Sequence, residues 1–242
     1  LLVAAAGILF MKRPSTWHAA LLAMATALAL LTRLTSLSFI APAFVVLAFS
    51  TAAHHRERRA ALTRLAAAAA VAAALVAPYL INCWVRYGDP LVAVNRNTTF
   101  YRERAGVDAS EPLAVHAYLA SRMIDRPVAT LDTAFEGLTA YPFRNKFDTL
   151  APWGPALPVV LPGLALLGLL AWPWSAAGRF LLVTLVCSLV PYAFTWEIRG
   201  GGEWRFTMHV YPLYLLAATS ALVFIVHAAR TARHLRPDRQ LM

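Results

Sequence analysis

TRLTS, at residues 32–36, separates two apolar stretches that cover residues 18–31 and 37–53. The first stretch has about 14 residues, which would form a helix about 21 Å long. A bilayer core is about 30 Å thick and normally takes about 20 residues to cross. Arg33 is therefore predicted to lie at the membrane surface or slightly below it, in a hairpin between two short helices. Such an arginine faces protein, water or an anion, or it extends to a lipid headgroup. The sequence leaves both interpretations open.

The composition indicates a membrane protein. Hydrophobic residues make up 60% of the 242 residues and charged residues only 14%, whereas a soluble domain carries about 25% charged residues. The mean hydropathy is +0.58. The apolar runs predict an all-α fold, a polytopic transmembrane helical bundle with about seven membrane segments. These segments are residues 1–11, 17–31, 37–53, 65–84, 156–172, 180–196 and 207–227.

The same pattern divides the chain into four predicted parts. They are residues 1–85, transmembrane helices with the Arg33 hairpin; 86–155, an extracytoplasmic segment of about 70 residues; 156–228, three transmembrane helices; and 229–242, a basic tail. The chain starts at Leu1 inside an apolar run, without an initiator methionine. We therefore expect it to be the C-terminal part of a longer protein, with a truncated first segment.

The outer segment is predicted to contain helices of its own. RYGDP, at residues 86–90, is predicted to end the preceding helix in a turn, because Gly and Asp-Pro break helices. Apolar and polar residues interleave over residues 112–126, which predicts an amphipathic helix. A second short helix is predicted over residues 128–138.

The basic residues predict the orientation in the membrane. With the C-terminal tail in the cytoplasm, 11 Lys/Arg lie inside and three lie in the short outer connections, as the positive-inside rule requires. The net charge of +10 is then a cytoplasmic-side excess. It indicates topology and contact with anionic lipid headgroups rather than nucleic-acid binding. We expect an integral protein of the bacterial inner (plasma) membrane.

The last outer connection, EIRGGGEWRF at residues 197–206, carries a second candidate site. Three consecutive glycines let a backbone approach a ligand closely, and the Arg205 guanidinium could hold a phosphate with two parallel hydrogen bonds. The alternative is a flexible turn in which Glu203 and Arg205 form an interfacial ion pair worth less than about 1 kcal/mol.

Three stretches of the chain carry a family resemblance: LALLTRLTSL at residues 28–37, APYLINCWVRYGDP at residues 77–90, and WRF at residues 204–206 with YPLY at residues 211–214. They resemble motifs of the membrane glycosyltransferases of the GT-C fold. They look like the Thr-Arg/Lys hairpin between two helices, the Tyr-Gly-Asn/Asp-Pro helix exit and the opening of the final helix in that family. The resemblance is to the polyprenyl- or dolichyl-phosphate-sugar-dependent group, which includes protein mannosyltransferases and the lipid A aminoarabinose transferase (glycosyltransferase family 39-like).

The resemblance implies that a sugar leaves a polyprenyl phosphate on the extracytoplasmic face and joins an envelope acceptor. It carries Arg33 and Arg205 over as donor-phosphate contacts, and position alone adds weaker candidates: Arg86, Arg144, Lys146 and Glu203. The family's catalytic carboxylate lies in a first outer loop that has no counterpart here. That residue is therefore expected upstream of Leu1, and the fragment itself is expected to be inactive. No cofactor and no metal are expected.

Two other classes stay open. An arginine between apolar segments also fits a membrane transporter or lipid flippase for an anionic substrate, although no inverted repeat is visible. A non-catalytic membrane scaffold would make Arg33 and Arg205 ordinary interfacial residues. The sequence identifies neither the sugar, the acceptor nor the oligomeric state.

Overall fold

The protein is described by a computed structural model covering residues 1–96, 114–143, 152, 154, 156–193 and 209–234. All elements assigned in these ranges are helical. They are α1 Leu2–Lys12, α2 Thr16–Thr32, α3 Leu37–His54, α4 Arg58–Tyr87, α5 Val115–Asp125, α6 Pro127–Phe143, α7 Leu157–Ala171, α8 Ala176–Ala193 and α9 Tyr211–His234, with short 3₁₀ turns at Leu34–Ser36 and Trp172–Trp174.

The all-α prediction is confirmed for the described residues, and each of the seven predicted apolar segments overlaps a helix. By length and composition, four segments could cross a membrane: Leu34–His54, Arg58–Tyr87, Leu157–Trp174 and Tyr211–Thr231. Three others are apolar but shorter: Leu2–Lys12, Thr16–Thr32 and Ala176–Pro191. The protein therefore has 4 candidate spans in its described part, and the expected number of seven stays a prediction.

Helix α4 begins earlier than its apolar stretch predicts, at Arg58 instead of residue 65. Arg58, Arg59 and Arg64 fall in the added turns, and arginine is a good helix former. The helix therefore extends out of the apolar region into a basic one. The two helices predicted within residues 86–155 are confirmed, as α5 and α6.

The helices pack into a bundle, in which α1 and α8 are neighbours. Helix α8 crosses α1 closely, because a Cβ placed on Gly7 would overlap the ring of Phe180. Further along, Val3 of α1 and Ser188 of α8 line the same cavity. These two pairs show that α1 and α8 are antiparallel. Large apolar side chains remain exposed on the outside, for example Phe49 at 73% and Phe224 at 73%, as a lipid-facing surface requires.

One end of the bundle is formed by the α1–α2 and α3–α4 turns. The His55 Nε2–H donates a hydrogen bond to the Met11 carbonyl at 2.9 Å. An Arg64 guanidinium N–H donates to the Pro14 carbonyl at 2.7 Å. The Arg33 hairpin lies at the opposite end, because α2 and α3 each run the length of the bundle between the two ends.

The predicted helix exit at residues 86–90 is confirmed. Gly88 ends α4 in the left-handed conformation, with φ 69°, and its N–H donates to the Trp84 carbonyl at 2.8 Å. The Asp89 carboxylate then accepts from the Leu91 N–H and from the Asn95 side chain, both at 2.8 Å. Asn95 in turn accepts from the Val115 N–H at 3.2 Å. These hydrogen bonds attach α5 to the end of α4.

Replacing Gly88 by alanine should lower the free energy of unfolding by about 1 kcal/mol, because a Cβ disfavours the left-handed conformation. The measurement is the apparent Tm of the purified protein in detergent. Gly88→Asn is the matched control, since asparagine tolerates this conformation better. Equal losses in both variants would contradict a conformational cause.

Candidate functional site

Arg33 lies in the break between α2 and α3, as the sequence predicts. Its backbone is extended, with φ −155° and ψ 104°, and its N–H donates to the Ala29 carbonyl at 3.0 Å. The Thr32 hydroxyl donates back to the carbonyls of Leu28 and Ala29. A 3₁₀ turn follows, closed by the Ser36 N–H on the Arg33 carbonyl at 2.9 Å. These local bonds end one helix and start the next, which leaves the half-buried Arg33 side chain at the apex.

Arg33 lines a cavity of about 230 Å³ at this end of the bundle. Four places along the chain contribute to it: the start of α1, the Arg33 hairpin, the second half of α8 and the start of α9. The polar lining residues are Thr32, Arg33, Thr35, Ser36, Ser38, Thr184, Ser188 and His209. The apolar ones are Leu1, Val3, Ala4, Ala29, Phe39 and Leu213. None of these described lining residues is Asp or Glu.

Helix α8 presents two buried hydroxyl groups to the cavity, one helical turn apart. The Thr184 hydroxyl donates to the Phe180 carbonyl at 2.8 Å, and the Ser188 hydroxyl donates to the Leu185 carbonyl at 2.7 Å. Because each proton is used within the helix, each oxygen still offers lone pairs as acceptors. The wall therefore suits a ligand that carries hydroxyl donors.

His209 is exposed and lies just before α9, next to Val210, which is fully buried. Leu213, one turn into α9, also lines the cavity. The start of the last helix and the Arg33 hairpin therefore meet at one site.

The other predicted site residues have different outcomes. Arg86 lies in the last turn of α4, is exposed and is not among the cavity's lining residues. Arg144, Lys146, Glu203 and Arg205 lie outside the described residues.

Sequence reasoning missed Thr184, Ser188 and His209. The first two could have been found from their spacing of four within an apolar helix, because residues i and i+4 share a helix face. Polar residues on one face of a membrane helix commonly face protein or a cavity. His209 could not have been found in this way. It lies beside the start of an apolar helix, and it has no polar partner at a regular helical spacing.

The arrangement combines a cation, several hydroxyl groups and an apolar wall in one small space. A guanidinium holds a phosphate or carboxylate through two parallel hydrogen bonds. The cavity is smaller than the roughly 300–1,000 Å³ of pockets that enclose a drug-sized ligand. It therefore suits an anionic headgroup better than a whole lipid. No family model, curated protein or solved structure matches this chain.

Proposed function

We propose that this chain carries the donor-lipid side of a membrane glycosyltransferase site. The enzyme would transfer a sugar from a polyprenyl phosphate to an envelope acceptor on the extracytoplasmic face. The observation that supports this most directly is the half-buried Arg33 in a hydroxyl-lined cavity at one end of an apolar helical bundle. A phosphorylated lipid headgroup needs this combination of a cation, polar partners and an adjacent apolar surface.

Each part of the ligand has a chemical counterpart in the cavity. Arg33 would hold the phosphate oxygens, and its positive charge would stabilise the negative charge that develops as the phosphate leaves the sugar. The acceptor oxygens of Thr184 and Ser188 would take hydrogen bonds from sugar hydroxyls. Leu213 and Phe39 would lie against the first isoprene unit.

The rest of the proposed site comes from outside the described residues. Arg205 precedes the cavity residue His209 by four positions, so it remains the second proposed phosphate contact. Arg144, Lys146 and Glu203 remain weaker candidates, whereas Arg86 is exposed and does not line the cavity. None of the described lining residues of the cavity is Asp or Glu, so the proposal assigns the catalytic carboxylate to none of them.

The orientation belongs to the same proposal. The cavity would face the extracytoplasmic side of the inner membrane, and the end formed by the α1–α2 and α3–α4 turns would face the cytoplasm. Support comes from the basic residues Lys12, Arg13, Arg56, Arg58, Arg59 and Arg64, which all belong to these two turns or flank them. Cytoplasmic connections are enriched in such residues.

Binding of a polyprenyl phosphate tests the proposal on the chain itself. The chain is reconstituted in uncharged lipid nanodiscs, and affinities are compared for a polyprenyl phosphate and for the polyprenol of equal chain length. The phosphate should bind at least about tenfold more tightly, because a hydrogen bond to a charged group contributes about 1.5–3 kcal/mol. Equal affinities would refute the donor site, and energised uptake of an anionic solute into vesicles would indicate a transporter instead.

A further inference from the structure

The end of the bundle opposite the cavity has a different chemistry. We define the two-turn basic surface as Lys12, Arg13, Arg56, Arg58, Arg59 and Arg64. Residues 12–18 and 54–64 contain these six cations and one acidic residue, Glu57. Five of the six cationic side chains are exposed, and Arg64 is half-buried. A concentration of like charge on a protein surface favours an anionic partner.

Hydrogen bonds join the two turns into one surface. His55 bonds to the Met11 carbonyl and Arg64 to the Pro14 carbonyl, across 44 and 50 residues of sequence. The α1–α2 turn is also held internally, because the Ser15 N–H donates to the Arg13 carbonyl at 2.7 Å. The exposed cations therefore project from a backbone that is fixed before any ligand arrives. Preorganisation of this kind lowers the entropy cost of binding.

The apolar residues next to the two-turn basic surface indicate where it would lie relative to a bilayer. Trp17 is 69% exposed at the start of α2, beside Lys12 and Arg13 in the chain. Exposed tryptophan at the end of an apolar helix is typical of the headgroup region of a bilayer. Apolar α2 and α3 extend from these turns toward the cavity end. This pattern favours a position of the cations near the lipid phosphates.

We propose that the two-turn basic surface is a binding site for anionic phospholipid headgroups, in which cations from both turns hold the same lipid phosphates. The site lies at the other end of the bundle from the Arg33 cavity. It is independent of the proposed glycosyltransferase function and holds equally for a transporter or a scaffold. It goes beyond a general positive charge on the cytoplasmic side, because it requires that the two turns act together.

Native mass spectrometry and thermal shift in nanodiscs test the site. The chain is compared in phosphatidylcholine nanodiscs with and without a small fraction of phosphatidylglycerol. Phosphatidylglycerol should remain bound on release from the nanodisc and should raise the apparent Tm. The double variant Lys12→Gln/Arg13→Gln should lose affinity about 25-fold, since each cation near the surface contributes about fivefold. Arg56→Gln/Arg59→Gln, on the other turn, should lose a similar amount.

Two controls separate this site from nonspecific charge. Arg179→Gln/Arg230→Gln removes two exposed cations from other helices and should leave most of the phosphatidylglycerol affinity. His55→Ala breaks the bond between the turns and leaves all six cations of the two-turn basic surface in place, and it should weaken binding several-fold. Equal losses in all double variants, no effect of His55→Ala, or no preference for phosphatidylglycerol would overturn the proposal. Equal stabilisation by millimolar inorganic phosphate would show a site for free anions instead of lipid.

Discussion

Replacing Arg33 by alanine is expected to weaken the binding of a polyprenyl phosphate by about 10- to 150-fold. This range corresponds to losing a hydrogen-bonded contact with a charged group, about 1.5–3 kcal/mol. The polyprenol of equal length should bind both proteins alike, because it has no phosphate to contact. In a longer protein that transfers sugar, kcat/KM should fall about 10²- to 10³-fold, as when one preorganised donor to a developing anion is removed.

Two further variants distinguish specific binding of the phosphate by Arg33 from a general effect of positive charge. Arg33→Lys keeps the positive charge but loses the planar pair of donors, so its affinity should be intermediate. Arg86→Ala removes an exposed arginine that does not line the cavity, and it should bind like the parent chain. An unchanged apparent Tm for Arg33→Ala would exclude misfolding as the cause. Parent-like phosphate binding by Arg33→Ala would show that Arg33 is an ordinary interfacial residue and refute its proposed role.

The sequence predicts features that depend on short stretches of chain. TRLTS predicts the break between α2 and α3 because an arginine with small polar neighbours interrupts two apolar runs, and α2 does end at Thr32. Gly88 predicts the end of α4 because glycine alone adopts its conformation without strain. The amphipathic pattern over residues 112–126 predicts α5, which spans Val115–Asp125. In all three places, the residues that determine the local structure lie within a few positions of it in the sequence.

The cavity itself depends on which helices become neighbours, and hydropathy does not encode this. Thr184 and Ser188 appear in sequence as two polar residues in an apolar run, and only the packing of α8 beside α1 and α3 brings them to Arg33. His209 reaches the same site because α9 starts at this end. The number of membrane crossings also depends on packing. The depth in the membrane of a short apolar helix, such as the 11-residue α1, is set by the helices around it.

Helix α7 packs against α9 by direct contact between their backbones, and Gly168 is the residue that allows it. A Cβ at this position would overlap the carbonyl group of Ala217, both atoms of which belong to the α9 backbone. The residues around the contact are also small and buried, since Ala165 and Ala217 are both 0% exposed. Small residues allow this close approach between membrane helices, where van der Waals contact supplies much of the stability.

Gly168→Ala should therefore lower the free energy of unfolding by about 1–3 kcal/mol, the usual cost of forcing an extra group into a packed interface. It is measured as the apparent Tm or the denaturant midpoint in detergent. Gly163→Ala is the matched control on the same helix: nothing lies within 4 Å of its added Cβ, so it should be neutral or slightly stabilising. Equal responses of the two variants would contradict the close packing of α7 on α9.

Because Ala217 lies one turn beyond the cavity residue Leu213 on α9, displacing this helix should also weaken polyprenyl phosphate binding. A loss of affinity in Gly168→Ala without one in Gly163→Ala would then connect the packing of the last helix to the site at its start.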